Sequence, residues 1–103
     1  MKTFSEQLSA LANTDHLQRI ELFLPDGTPA GVIENKPGSQ GSVRVYHHLI
    51  QQHGKISPDA AKLGIQIYAE HTADAEANPG KHPNIDRLFE VISTGISLNA
   101  KVI

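Results

Sequence analysis

Apolar positions along the chain change period several times, and each change marks an element. Phe4, Leu8 and Leu11 recur at i, i+4 and i+7, so residues 3–12 predict a short amphipathic helix that Asn13 ends. Ile20, Leu22 and Leu24 then alternate with Arg19, Glu21 and Phe23, a strand period that leaves one aromatic on the exposed side. Pro25-Asp26-Gly27 supplies turn chemistry, because proline presets φ and glycine accepts the left-handed region. A second strand from Ala30 to Glu34 completes a hairpin.

Residues 35–42, NKPGSQGS, read as a loop. Beyond them Val43, Tyr46, Leu49 and Ile50 fall on one helical face and Arg44, His47 and Gln51 on another, with Gly54 placed to end the helix. Ser57 and Pro58 look like an N-cap and a first helical proline. The stretch from Ala60 to Asn78 supports two readings. Leu63, Ile65 and Ile67 alternate as in a strand after Gly64, whereas Ala60, Gly64, Ile67, Tyr68, His71 and Ala75 form a helical stripe. The alanine content tips the reading towards one helix over 58–77, stopped by Asn78-Pro79-Gly80. From Asn84 onwards, Ile85, Leu88, Phe89 and Ile92 give the cleanest helical pattern, ended by Gly95, and Ile96 to Ile103 alternate as a last strand. The expectation is an α+β fold: one domain over residues 1–103, a small and mostly antiparallel sheet, and three to four helices packed on it.

Composition narrows the chemistry. The 103 residues include no cysteine, which excludes disulfides, thiolate metal sites and a cysteine nucleophile. Nine Lys and Arg against eleven Asp and Glu give a net charge of -2 without a basic stripe, so nucleic acid is not an expected partner. No apolar run approaches the ~18 residues of a membrane span. The polar opening MKTFSEQLSALANTD does not read as a signal peptide, and the expected location is cytoplasmic.

Chemistry concentrates in EHTADAEANPGKHPNIDR at residues 70–87. On a helix, His71 and Asp74 stand at i and i+3, and Glu70 and Asp74 at i and i+4, so each pair shares a face. That spacing makes His71 a candidate general base with Asp74 or Glu70 orienting it. Imidazole with carboxylates is also a divalent-metal ligand set, and His71, His82, Asp74 and Asp86 are the residues that would supply it. No motif as specific as H-E-x-x-H is present, so capping and solvated surface compete with both readings. The second feature is the loop Gly38-Ser39-Gln40-Gly41-Ser42, which joins a strand to a helix as phosphate-cradling loops do. Gly38, Ser39, Gly41 and Ser42, with Arg44 in the first turn and Arg87 from the polar segment, form the candidate ligand-binding set. Neither nucleotide fingerprint is matched, and a plain connector capped by Ser39 or Ser42 explains the same residues. On the helix before Gly54, His47 is expected on the exposed face and His53 near the buried stripe. Tyr46 and Tyr68 are expected in the core with their hydroxyls at a polar edge.

The strings PGSQGSVRVYHHL at 37–49 and AAKLGIQIYAEHTADAEANPGKHPNIDRL at 60–88 are distinctive, YAEHT and PGKHPNIDRL above all. In them the chain resembles a family of small bacterial proteins classed as a domain of unknown function. The resemblance implies a stand-alone bacterial cytoplasmic protein and carries no activity with it. Three functional readings follow. The leading one is a non-enzymatic module that binds a small ligand or a protein through a polar site around residues 70–87. The second is a small hydrolase, lyase or isomerase, and the third a divalent-metal protein. Substrate, partner and the existence of a homodimer stay open.

Overall fold

The computed structural model describes residues 2–103. Thr3 opens α1 (Phe4–Ser9) with a capping box: its hydroxyl accepts from the Glu6 amide while the Glu6 carboxylate returns to the Thr3 amide. β1 (Arg19–Phe23) and β2 (Pro29–Glu34) form the expected hairpin. Its turn is closed by a Leu24 amide bond to the Thr28 carbonyl at 2.8 Å and by Asp26, whose carboxylate accepts from the Thr28 amide at 2.9 Å. β3 (Asn99–Val102) pairs antiparallel with the other edge of β1, so the sheet order is β2-β1-β3. The central strand buries Ile20 and Leu22 against the helices, and Phe23 on the opposite side is half-buried.

Helices cover one face of that sheet. α2 (Gln40–His53) begins three residues before the first apolar position of its stripe and ends at Gly54, which takes φ 78° as the C-terminal glycine. Ser57 caps α3 (Pro58–Ile67) by accepting from the Ala60 amide. α4 (Glu70–Ala77) follows, and α5 (Pro83–Thr94) ends at Gly95 with φ 73°. The core is continuous from Ile20, Leu22 and Ile33 on the sheet to Val43, Tyr46 and Leu49 on α2 and Ile85, Leu88 and Val91 on α5. The fold is α+β as expected, with five helices among the described residues rather than three to four. No helix among the described residues is long and apolar enough to cross a membrane.

The added helix comes from residues 58–77, which form neither one helix nor a helix and a strand. The chain breaks at Ala69, a non-glycine residue with φ 52° and ψ -118°. Two side-chain bonds hold the break. Thr72 donates its hydroxyl to the Ile65 carbonyl at 2.5 Å, and Glu70 accepts the Phe4 amide at 2.7 Å. Such a conformation costs an L-residue about 1–3 kcal/mol, whereas glycine's extra chain entropy costs roughly 0.5–1 kcal/mol. Ala69→Gly is therefore expected to raise the unfolding free energy by about 1 kcal/mol, measured by urea denaturation. A loss of stability would show that Ala69 is not strained.

Candidate functional site

The break at Ala69 decides where the polar segment points. It turns α4 so that His71 packs its ring edge-on against Phe4 at 5.0 Å, while Phe4 stacks on Tyr68 at 5.2 Å. The α4–α5 loop then returns along α4 and brings His82 back to His71, with 5.7 Å between ring centres. His71 and His82, eleven residues apart in sequence, therefore lie side by side.

Their carboxylate partners are not the expected ones. Asp74 bonds His82, not His71: Nε2 of His82 lies 2.6 Å from Oδ2 of Asp74. The same oxygen takes Nζ of Lys81 at 3.0 Å, and Oδ1 accepts from Asn78 at 3.0 Å. These bonds favour the charged carboxylate and hold Asp74 down at about 2, with the His82 bond as the largest cause and the Lys81 bond next. Glu70 is likewise turned away from His71. Its Oε1 closes the first turn of α1 at the Phe4 amide, which lowers its pKa. The reading of His71 as a base oriented by Asp74 or Glu70 is thus corrected; the oriented histidine is His82.

Of the four residues expected to hold a metal, His71, His82 and Asp74 lie together. Among the described residues no group of three or more His, Asp or Glu is placed to hold a metal ion. Asp86, the fourth expected ligand, folds its carboxylate back onto the Gly80 amide at 2.9 Å and so closes the loop before α5. Asp74 already serves two cationic or hydrogen-bonding partners in one direction.

The loop before α2 does reach this place. A cleft of about 280 Å³ is lined on one side by Gly38, Gly41 and Ser42 and on the other by His71, Lys81 and His82, with Phe4 and Tyr68 at its floor. Ser42 is tied into it by Tyr68, whose hydroxyl donates to Ser42 Oγ at 2.7 Å and leaves the serine proton available. Burial raises the Tyr68 pKa and keeps that phenol a donor. Ser39 occupies the N-cap position but makes no cap; its hydroxyl donates to the Glu34 carbonyl at 2.5 Å. Among the described residues the amides of Gln40, Gly41 and Ser42 consequently have no protein acceptor.

Two members of the expected ligand set lie elsewhere. Arg44 reaches the Leu8 carbonyl at 3.4 Å and fastens α1, and Arg87 lines a separate hollow beside α5. His47 is half-buried and its pKa is lowered, chiefly by burial, whereas His53 is exposed. Lys81 escaped the sequence reading. A lone lysine between Gly80 and His82 carries no motif, and its only signal is its place inside the PGKHP string.

A family model described as an uncharacterized protein conserved in bacteria (DUF2322) matches residues 4–102, and the chain belongs to that family. No curated protein and no solved structure matches the chain.

Proposed function

We propose that this member of the family is a binding module for a small anion, held in the cleft between the start of α2 and the α4–α5 loop. One observation carries the reading: Gly38, Gly41 and Ser42 line the same cleft as His71, Lys81 and His82, from which they are distant in sequence. One wall offers first-turn amides and the Ser42 hydroxyl, which favour negative charge at the start of a 14-residue helix. The other offers Lys81 and two imidazoles, all able to donate to an oxyanion. The Asp74 carboxylate holds Lys81 and His82 at the rim. A cytoplasmic setting belongs to the proposal.

The test is a calorimetric titration with inorganic phosphate, pyrophosphate and citrate. At least one is expected to bind, and Lys81→Ala and Ser42→Ala are each expected to weaken it about tenfold, or roughly 1.4 kcal/mol. Lys81 is largely exposed, so its removal leaves the fold intact. Heat from none of the three anions, or affinity unchanged in both variants, overturns the proposal.

The Asp74–His82 pair favours one other reading. Holding His82 through Nε2–H leaves Nδ1 free as a base, as in a small hydrolase, lyase or isomerase. Its mark is turnover that His82→Ala abolishes while anion binding survives in part.

A further inference from the structure

Arg87 does not take part in the cleft described above. It lies on the first turns of α5 and lines a second hollow of about 270 Å³, between the hairpin and the C-terminal half of that helix. Leu24, Ala30, Val91, Ile96 and Leu98 form its walls, with Glu90 and Thr94 at its polar side.

The guanidinium is placed but not neutralised. Its Nη1 donates to Asn84 Oδ1 at 2.8 Å and to the Tyr46 hydroxyl at 3.3 Å, which fixes one end of the group. Among the described residues no carboxylate pairs with Arg87, and its Nε and Nη2 donors have no protein acceptor. A half-buried arginine usually finds a carboxylate. Here the Nε–Nη2 side, the fork that takes a carboxylate in two parallel bonds, keeps both donors unpaired. The strand beneath makes room for it. Gly31 has φ 155°, and a Cβ there would stand 2.8 Å from Nη2 and 3.2 Å from Nε. Beside the fork the walls are apolar, and Ile96 at the mouth is 47% exposed.

We infer that this hollow is a second ligand site, built for a small carboxylate with a branched apolar body. The carboxylate pairs with the Nε and Nη2 donors of Arg87. The body packs among Leu24, Val91, Ile96 and Leu98, which matches the usual make-up of a small-molecule pocket: apolar walls and one or two fixed polar groups. Glu90 lies one helical turn beyond Arg87 without pairing with it, where an ammonium group would meet it. The same chemistry therefore comes from two sources, a simple branched carboxylic acid or a free branched amino acid.

The test follows the Arg87 Nε–H resonance by NMR during titration with 4-methylpentanoate, its neutral amide, and leucine. The carboxylate is expected to shift that resonance and the amide to bind at least tenfold more weakly. Arg87→Gln should abolish binding, but it also strips the Tyr46 hydroxyl of a partner. Ile96→Asp, at an exposed position, is the second variant and should weaken 4-methylpentanoate at least tenfold with the fold retained. Leucine binding more tightly than 4-methylpentanoate, with the advantage lost in Glu90→Gln, identifies the amino acid as the source. Equal or weaker leucine binding identifies the simple acid. An unmoved Arg87 resonance with both carboxylates, or an amide that binds as well as the acid, overturns the inference.

Discussion

Leu88→Ala is expected to lower the unfolding free energy by about 3 kcal/mol, and a methyl added at Gly64 in the same molecule to recover part of it. Leu88 is fully buried at the centre of the helical layer, where α3 crosses α5. Truncating such a leucine removes its transfer free energy and leaves a cavity the neighbours fill only in part. For a domain of this length the thermal midpoint should fall by about 15 °C. Gly64 is what lets α3 come so close: a Cβ there would stand 2.7 Å from Leu88 Cδ1 and 3.0 Å from Leu49 Cδ1. Both leucines are buried, so neither can swing into solvent. Gly64→Ala alone sets overpacking of about 1–3 kcal/mol against a helix-propensity gain of about 1 kcal/mol. The net expectation is a loss of about 1 kcal/mol. In the Leu88→Ala background the closer of the two clashes is gone and the methyl enters vacated space, so the same substitution changes sign. Urea unfolding of the four proteins should therefore give a coupling of about 2 kcal/mol. Additivity to within about 0.5 kcal/mol would mean that Gly64 does not face Leu88.

That seam was half legible in the sequence. The Leu88 stripe with Ile85 and the Gly95 stop reads as a helix from spacing alone, and so does the cap at Ser57-Pro58. The hairpin is legible for the same reason, since alternation and turn chemistry are local. The break at Ala69 is not local. Tyr68-Ala69-Glu70 contains no glycine or proline, and the alanines around it favour a helix straight through. The strained backbone there is accompanied by bonds to other parts of the chain, Thr72 to Ile65 and Glu70 to Phe4. Propensity gives way to tertiary structure at that point.

The same limit governs the candidate site. The concentration of His, Asp and Glu at 70–87 is visible in composition, but the meeting of His71 with His82 depends on the return of the α4–α5 loop and is not. The choice of partner was not visible. A face shared at i and i+3 permits Asp74 to bond His71, but the return of the α4–α5 loop offers it His82 and Lys81 together. Two hydrogen-bonding partners at one carboxylate outcompete one. Arg44 shows the converse. In the first turn it suits an anion, yet α1 docks beside it and takes the guanidinium at the Leu8 carbonyl, a contact that no short-range pattern in the sequence encodes.

Alkaline unfolding is the second large effect, and it is expected to coincide with tyrosine ionisation rather than follow it. The chain holds two tyrosines and neither tryptophan nor cysteine, so tyrosinate absorbance reports on Tyr46 and Tyr68 alone. Both are buried, and the Tyr46 hydroxyl donates to the Asn84 carbonyl at 2.5 Å. Burial pushes Tyr46 up to about 12 against the opposing pull of Arg87, and burial raises Tyr68 as well. In the unfolded chain a tyrosine loses its proton near pH ~10. Between that pH and the folded value the native state binds the extra proton, so stability is whole below pH ~10 and falls as pH rises. Each tyrosine contributes a slope of about 1.4 kcal/mol per pH unit. With two acting together, a domain of ordinary stability unfolds within a few pH units, and circular dichroism and tyrosinate absorbance should change in one transition. Tyr46→Phe separates the terms. At neutral pH it costs about 1–3 kcal/mol, because the Asn84 carbonyl and Arg87 each lose a hydrogen-bond partner. Above pH ~10 its stability should decline half as steeply, since one of the two raised phenols is gone. Ionisation of both tyrosines near pH ~10 with the circular dichroism unchanged would instead mean that solvent reaches the hydroxyls, and with them the Ser42 and Arg87 ends of the two clefts.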